Sequence, residues 1–101
     1  MEAEAIFGDT MRPYMEWMEE ENCILREFNE DVDSEELVWH RDKNDRLVRI
    51  MESDGWFFQF EDEFPFELLK GMWLKIDNHR YHRVIKGDNN GSLLIKIYEG
   101  G

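Results

Sequence analysis

A chain of 101 residues and 12.3 kDa holds material for one core of ordinary domain size and rules out a second. With 42% hydrophobic and 14% aromatic residues and only two prolines, its composition is not that of a disordered chain. A formal charge of -12 and a pI near 4.5 oppose encounter with a nucleic-acid backbone or an anionic membrane, so neither is expected as a partner.

The acidity is concentrated at the start. Residues 1–36 carry 13 Asp and Glu against Arg12 and Arg26, whereas residues 37–101 carry 11 acids against 10 bases. Repulsion of anions therefore belongs mainly to the N-terminal third, which reads as a solvated face, and does not constrain a pocket built from the rest. The first residues, MEAEAIFGDT, do not show the basic then apolar pattern of a secretory signal, and no apolar run approaches the roughly 18 residues of a spanning helix. The single cysteine, Cys23, cannot form an intrachain disulfide, and no paired-cysteine zinc motif is present, so a cytoplasmic protein is expected.

From Asp9 or Thr10 as N-cap to Asn22, residues Met11, Tyr14, Met15 and Met18 fall at i, i+3, i+4 and i+7. Pro13 is tolerated in the first turn and Trp17 broadens the stripe. The spacing predicts a short amphipathic helix, unstable alone, whose apolar stripe lies on the body or on a second subunit.

After residue 22 the period becomes two, in short segments separated by turn residues, which predicts strands at 23–28, 37–40, 46–53, 56–60, 66–69, 72–76, 82–86 and 93–98. Asp54-Gly55 between two apolar runs is a hairpin signal, and Asn90-Gly91 is a second. Alternation places Met72, Leu74 and Ile76 on one face and Leu93, Ile95 and Ile97 on one face, with Lys75 and Lys96 opposite them. The run Trp56-Phe57-Phe58-Gln59-Phe60 is apolar on both faces apart from Gln59, which puts it in the middle of the structure or under the helix. Cys23, followed by Ile24 and Leu25, reads as a buried thiol rather than a nucleophile.

His40 and Asp42 stand two apart on a strand and so share a face, a chelating spacing. His82 shares a face with Val84 and looks inward. Two imidazoles and one carboxylate suit iron, manganese, nickel or zinc, with positions left open for water or substrate. The other reading of the same residues is a pair of histidines hydrogen-bonded at strand ends. His79 reads as an exposed turn residue. Trp39, Trp56 and Trp73 line a cavity or, as strand aromatics more often do, fill a core or an interface. No Gly-rich phosphate loop, serine elbow or cysteine–histidine pair supports a nucleotide-binding or hydrolase reading.

The stretch 37–87 resembles the cupin superfamily, whose first motif reads G-x5-H-x-H-x3,4-E-x6-G and whose second reads G-x5-P-x-G-x2-H-x3-N. Gly71 is followed by five residues, Asp77-Asn78-His79 stands at Pro-x-Gly, and His82 takes the histidine position. In the first motif His40 and Asp42 take the two histidine positions, Arg46 falls in the glutamate slot, and Gly55 lies later than the closing glycine. Asp42 keeps a ligand; Arg46 cannot coordinate a cation. Either Gln59 completes the shell, or Arg46 pairs with Asp42 or Asp45, or Arg46 clamps a carboxylate or phosphate of a ligand.

The resemblance implies an all-β, cupin-like double-stranded β-helix (jelly-roll barrel) over residues 23–101, preceded by an acidic arm over residues 1–22 that carries the amphipathic helix. It implies a homodimer and a divalent transition metal (Fe, Mn, Ni or Zn) on His40, Asp42 and His82, with Arg46 and Gln59 binding a small anionic substrate. The implied activity is that of a metal-dependent enzyme of the oxygenase or isomerase type. The alternative is a metal-free ligand-binding or protein-interaction module, in which Asp42, Arg46 and the histidines form a hydrogen-bonded network.

Overall fold

The computed structural model of the chain describes residues 14–20, 22–29, 39–87 and 91–99. They form eight strands: β1 (Tyr14–Glu20), β2 (Cys23–Phe28), β3 (Arg46–Glu52), β4 (Trp56–Phe60), β5 (Phe66–Glu67), β6 (Trp73–Ile76), β7 (His82–Lys86) and β8 (Leu93–Glu99). Those predicted at 23–28, 56–60 and 82–86 are found with the same bounds, whereas 37–38 lies outside the described residues and His40 makes an isolated bridge.

The expected N-terminal helix is corrected to a strand over residues 14–20, and residues 9–13 lie outside the described residues. β1 runs antiparallel to β2, from Tyr14 opposite Phe28 to Glu20 opposite Cys23. On a strand the methionines and the tyrosine do not share a face, since Tyr14 and Met18 fall on one side and Met15 on the other; it is pairing with β2 that gives the short segment the partners an isolated helix of that length lacks.

One sheet has the order β1-β2-β8-β3-β6 and the other β5-β4-β7. Every pair of neighbours is antiparallel. Neither sheet closes on itself: β1 and β6 are the edges of the first, β5 and β7 of the second. The expected jelly-roll barrel is therefore corrected to two open sheets laid face to face, as no described strand belongs to both. The Asp54-Gly55 turn joins β3 to β4, which lie in different sheets, so it is a crossing between layers and not a hairpin. The link from β7 to β8 crosses in the same way, and Asn90 of the second expected turn lies outside the described residues. Gly55 adopts a φ of 79°, and a Cβ on Gly87 would sit 2.0 Å from the Gly55 carbonyl oxygen. The two crossings touch there, backbone against backbone.

The core lies between the sheets. Val48, Ile50, Leu74, Ile76, Leu93, Ile95, Ile97 and Phe28 from the larger sheet meet Trp56, Phe58 and Phe60 of β4, with Leu68 beside them. The expected faces of β6 and β8 hold, and the 56–60 run is the middle strand of the smaller sheet. Trp56 is fully buried, and its indole N–H donates to the Gly91 carbonyl at 2.9 Å. Cys23 is buried, at 2% exposure. Register also turns polar residues inward. Arg26 lies between Ile24 and Phe28, facing Ile95, and Arg46 lies on the Val48 and Ile50 face of β3. His82 is opposite Phe60.

Candidate metal centre

His40 and His82 are joined by backbone: each N–H donates to the other's carbonyl, at 3.0 and 2.9 Å. The turn between β6 and β7 fastens to the same segment. His79 N–H donates to the Asp42 carbonyl at 2.7 Å, and Asn78 N–H donates to the Asp45 carboxylate at 2.8 Å. Arg80 N–H returns to the Asp77 carbonyl at 3.3 Å, closing a turn in which His79 holds a φ of 63°. These contacts bring His40, Asp42 and His82 together, with one possible ligand atom from each within 4.8 Å of the others.

His82 is 2% exposed and its ring stacks on Phe58, with centroids 5.5 Å apart and planes 15° from parallel. The exposed His40 ring meets it edge-on at 4.3 Å. His82 Nδ1 lies 2.8 Å from the Arg80 carbonyl, and because a carbonyl only accepts, Nδ1 carries the hydrogen. In the neutral ring Nε2 then presents a lone pair, and it faces Asp42 Oδ2 at 3.3 Å. Oδ2 is itself buried without a well-aligned hydrogen bond. Two acceptors facing each other in a buried place need a donor or a cation to reconcile them, which a proton on His82, a bridging water or a metal ion would supply. The residues present thus fit a metal ion.

Burial works to raise the pKa of Asp42, but the approach of His82 and then the positive field of Arg46 outweigh it and hold the carboxyl below its usual 3.8. Arg46 stands beside the cluster rather than in it. Its Nη1 is 3.4 Å from Asp42 Oδ1, and its Nε–H donates to Glu99 Oε2 at 2.9 Å. Gln59 is not brought to the site. It lies on the outer face of β4, where its amide donates to the Glu63 carbonyl and its oxygen accepts from Arg83, both at 3.0 Å. A period of two carries Gln59 away from the side that Phe58 and Phe60 share with His82. Of the tryptophans, Trp56 is core, while Trp39 and Trp73 are exposed beneath Arg83 and Arg49.

A cavity of about 40 Å³ adjoins the cluster, lined by His40, His82, Arg46 and Arg26 among apolar residues that include Phe58 and Ile97. That is room for an ion and about two waters. A larger groove of about 360 Å³ is lined by Asp45, Arg46, Leu47, Lys75, Tyr98 and Glu99, and Arg46 borders both spaces. Arg26 is the lining residue that sequence reasoning missed. Its signal was parity, two residues from Ile24 and from Phe28 on a strand whose inner positions are apolar.

No protein-family model matches the chain, and no curated protein matches it. Solved structures do match. A cupin-2 domain containing protein from Shewanella frigidimarina NCIMB 400 superposes with a TM-score of 0.59 at 20% identity, over 87% of this chain and 79% of that one. A cupin domain from Bordetella pertussis Tohama I gives 0.56 at 16% identity, over 89% and 97%. The fold is cupin-like. Hydroxypropylphosphonic acid epoxidase from S. wedmorenis gives 0.63 at 13% identity, and there the match covers 84% of this chain but 49% of the other. At these identities the likeness concerns the fold alone.

Proposed function

We propose that the chain is a metal-binding, cupin-like protein in which His40, Asp42 and His82 hold one divalent transition-metal ion (Fe, Mn, Ni or Zn), and that it acts as a metal-dependent enzyme on a small anionic molecule. The observation that carries this reading is the pair of buried acceptors, His82 Nε2 and Asp42 Oδ2, facing each other at 3.3 Å while His82 Nδ1 is committed to the Arg80 carbonyl. A hydrogen bond from the far ring nitrogen to a carbonyl is the usual device that fixes the tautomer of a ligating histidine. Bound there, the ion supplies Lewis acidity with coordination positions open to water or substrate. Arg46 keeps the Asp42 carboxylate charged and presents a guanidinium at the cavity, where it favours an anion. The epoxidase of similar fold is named for a phosphonic acid, which agrees with an anionic substrate.

The test is elemental analysis of tag-free protein purified without chelator. About one equivalent of Fe, Mn, Ni or Zn per chain is expected. His40 is exposed, so His40→Ala removes a ligand while leaving the core alone. That variant should lose the metal and keep the melting temperature of chelator-treated wild type. Metal far below stoichiometry, not restored by adding these ions, would sink the proposal. It would leave the second reading, a metal-free binding module, for which the contacts of Asp42 with both Arg46 and His82 are the supporting observation.

A further inference from the structure

The inner face of the larger sheet is apolar except for two cross-strand ion pairs, Arg26 opposite Glu16 and Arg46 opposite Glu99, and both arginines line the cavity beside the histidines. Arg26 is held by Glu16 through Nε, at 2.8 Å, and through Nη2, and its guanidinium lies 4.0 Å from the centre of the Tyr14 ring. Arg46 is held by Glu99 through Nε and lies 3.4 Å from Asp42 through Nη1. In both pairs the arginine is the more buried member, 12% exposed against 22% for Glu16 and 17% against 35% for Glu99. The carboxylates also sit at the margins of the sheet, Glu16 on the edge strand β1 and Glu99 as the last residue of β8.

We propose that Arg26 and Arg46 together form the anion-binding wall of this cavity. The ligand is a short-chain dianion, such as a dicarboxylate, whose two charged ends replace Glu16 on Arg26 and Glu99 on Arg46; the cavity of about 40 Å³ is too small for it as it stands, so it takes the space the two glutamate side chains vacate. This inference rests on the anionic-substrate part of the proposed function and adds to it a second cation that selects for two negative groups. Each arginine is paired with the glutamate directly opposite it in the sheet, yet burying an ion pair in an apolar face seldom stabilises a fold more than apolar side chains of the same volume. Guanidinium forks match carboxylates in shape, and the chain's own carboxylates already occupy the positions that a ligand's would take. The ring of Tyr14 fixes one face of the Arg26 guanidinium, which reduces the ordering cost on binding. Access is through the groove that Arg46 and Glu99 border, where turning Glu99 outward frees the Nε side of the Arg46 guanidinium while Nη1 stays beside Asp42.

The probe is succinate, titrated calorimetrically into the full chain with metal removed by chelator and again with metal restored, at about 0.15 M ionic strength. Succinate should bind more tightly than acetate, and Arg26→Gln should weaken it by about tenfold or more while leaving metal per chain unchanged. Glu16→Gln and Glu99→Gln should each raise the affinity, because an internal competitor has been removed. A purely structural ion pair predicts no such gain. If Arg26→Gln fails to fold, the gain in the two glutamate variants decides the matter. Wild type that binds metal but no succinate in either state would overturn this inference and leave the metal centre standing. Succinate binding without metal would support it even if the metal reading failed. Affinity unchanged in both Arg26→Gln and Glu16→Gln would make Arg26 a structural residue and overturn it.

Discussion

His79 holds a φ of 63°, a left-handed conformation that costs an L residue about 1 kcal/mol or more and that glycine adopts freely. Its backbone N–H is what the turn uses, donating to the Asp42 carbonyl, and glycine keeps that group. His79→Gly should therefore raise unfolding stability by about 0.5–1 kcal/mol in urea melts and leave metal content unchanged. Asp42 makes a second prediction. Its carboxyl is held below the usual 3.8 in the fold, so near that pH the unfolded chain binds more protons than the folded one. Its stabilising contribution is full above about pH 5 and is lost as the pH falls through the lower folded-state value. Chelator-treated wild type should lose this stability below about pH 4, and Asp42→Asn should lack that part of the pH dependence. Strand parity made the inward side of His82 legible, whereas His40 makes an isolated bridge and Asp42 lies outside any strand, so it is the backbone contacts to β7 and its turn that bring them to it. Gln59 was misplaced although the same parity, applied from Phe58 and Phe60, points it outward. Arg26 was passed over because in the sequence it is one of two bases in an acidic third, although parity puts it on the face of Ile24 and Phe28, which pairing with β8 makes the inner one.

At the scale of elements, turn chemistry announces a change of direction but not which strands it joins. Asp54-Gly55 supplies the positive φ that a tight hairpin needs, yet its flanking strands separate into different layers. Likewise the 14–20 segment has the apolar spacing of a helix and no clean alternation, yet hydrogen bonding to β2 makes it a strand. Sheet pairing is non-local, and nothing in the period of a strand names its neighbour. Where the two crossings touch, a side chain has no room: a Cβ on Gly87 falls 2.0 Å from backbone, which cannot swing aside as a flexible side chain would. Gly87→Ala should therefore cost about 1–3 kcal/mol or more in thermal or denaturant unfolding, as overpacking does. Gly71 has open space around its Cβ position, and there only its φ of 92° opposes substitution.

At the scale of the whole molecule, both open sheets draw on one apolar cluster, so neither buries its inner face without the other. Unfolding should then be a single transition, with fluorescence of the buried Trp56 and far-ultraviolet dichroism changing together. Ile50→Ala should shift both signals by the same amount, about 2–5 kcal/mol. Two separate transitions would show that the layers are independent. The position of β8 has a consequence for how the chain is made. Of the described strands it is the last to leave the ribosome, yet in the finished sheet it lies in the centre, between β2 and β3. Until it arrives, the β1–β2 and β3–β6 pairs have no common neighbour, and the nascent protein waits with both halves of its larger sheet exposed. Refolding in vitro faces the same long closure, which favours rates on the millisecond-to-second scale of non-local β topologies. The three candidate ligands all precede β8 in the chain, so an ion captured early would tie residues 40–42 to β7 before the central strand is available to complete the sheet.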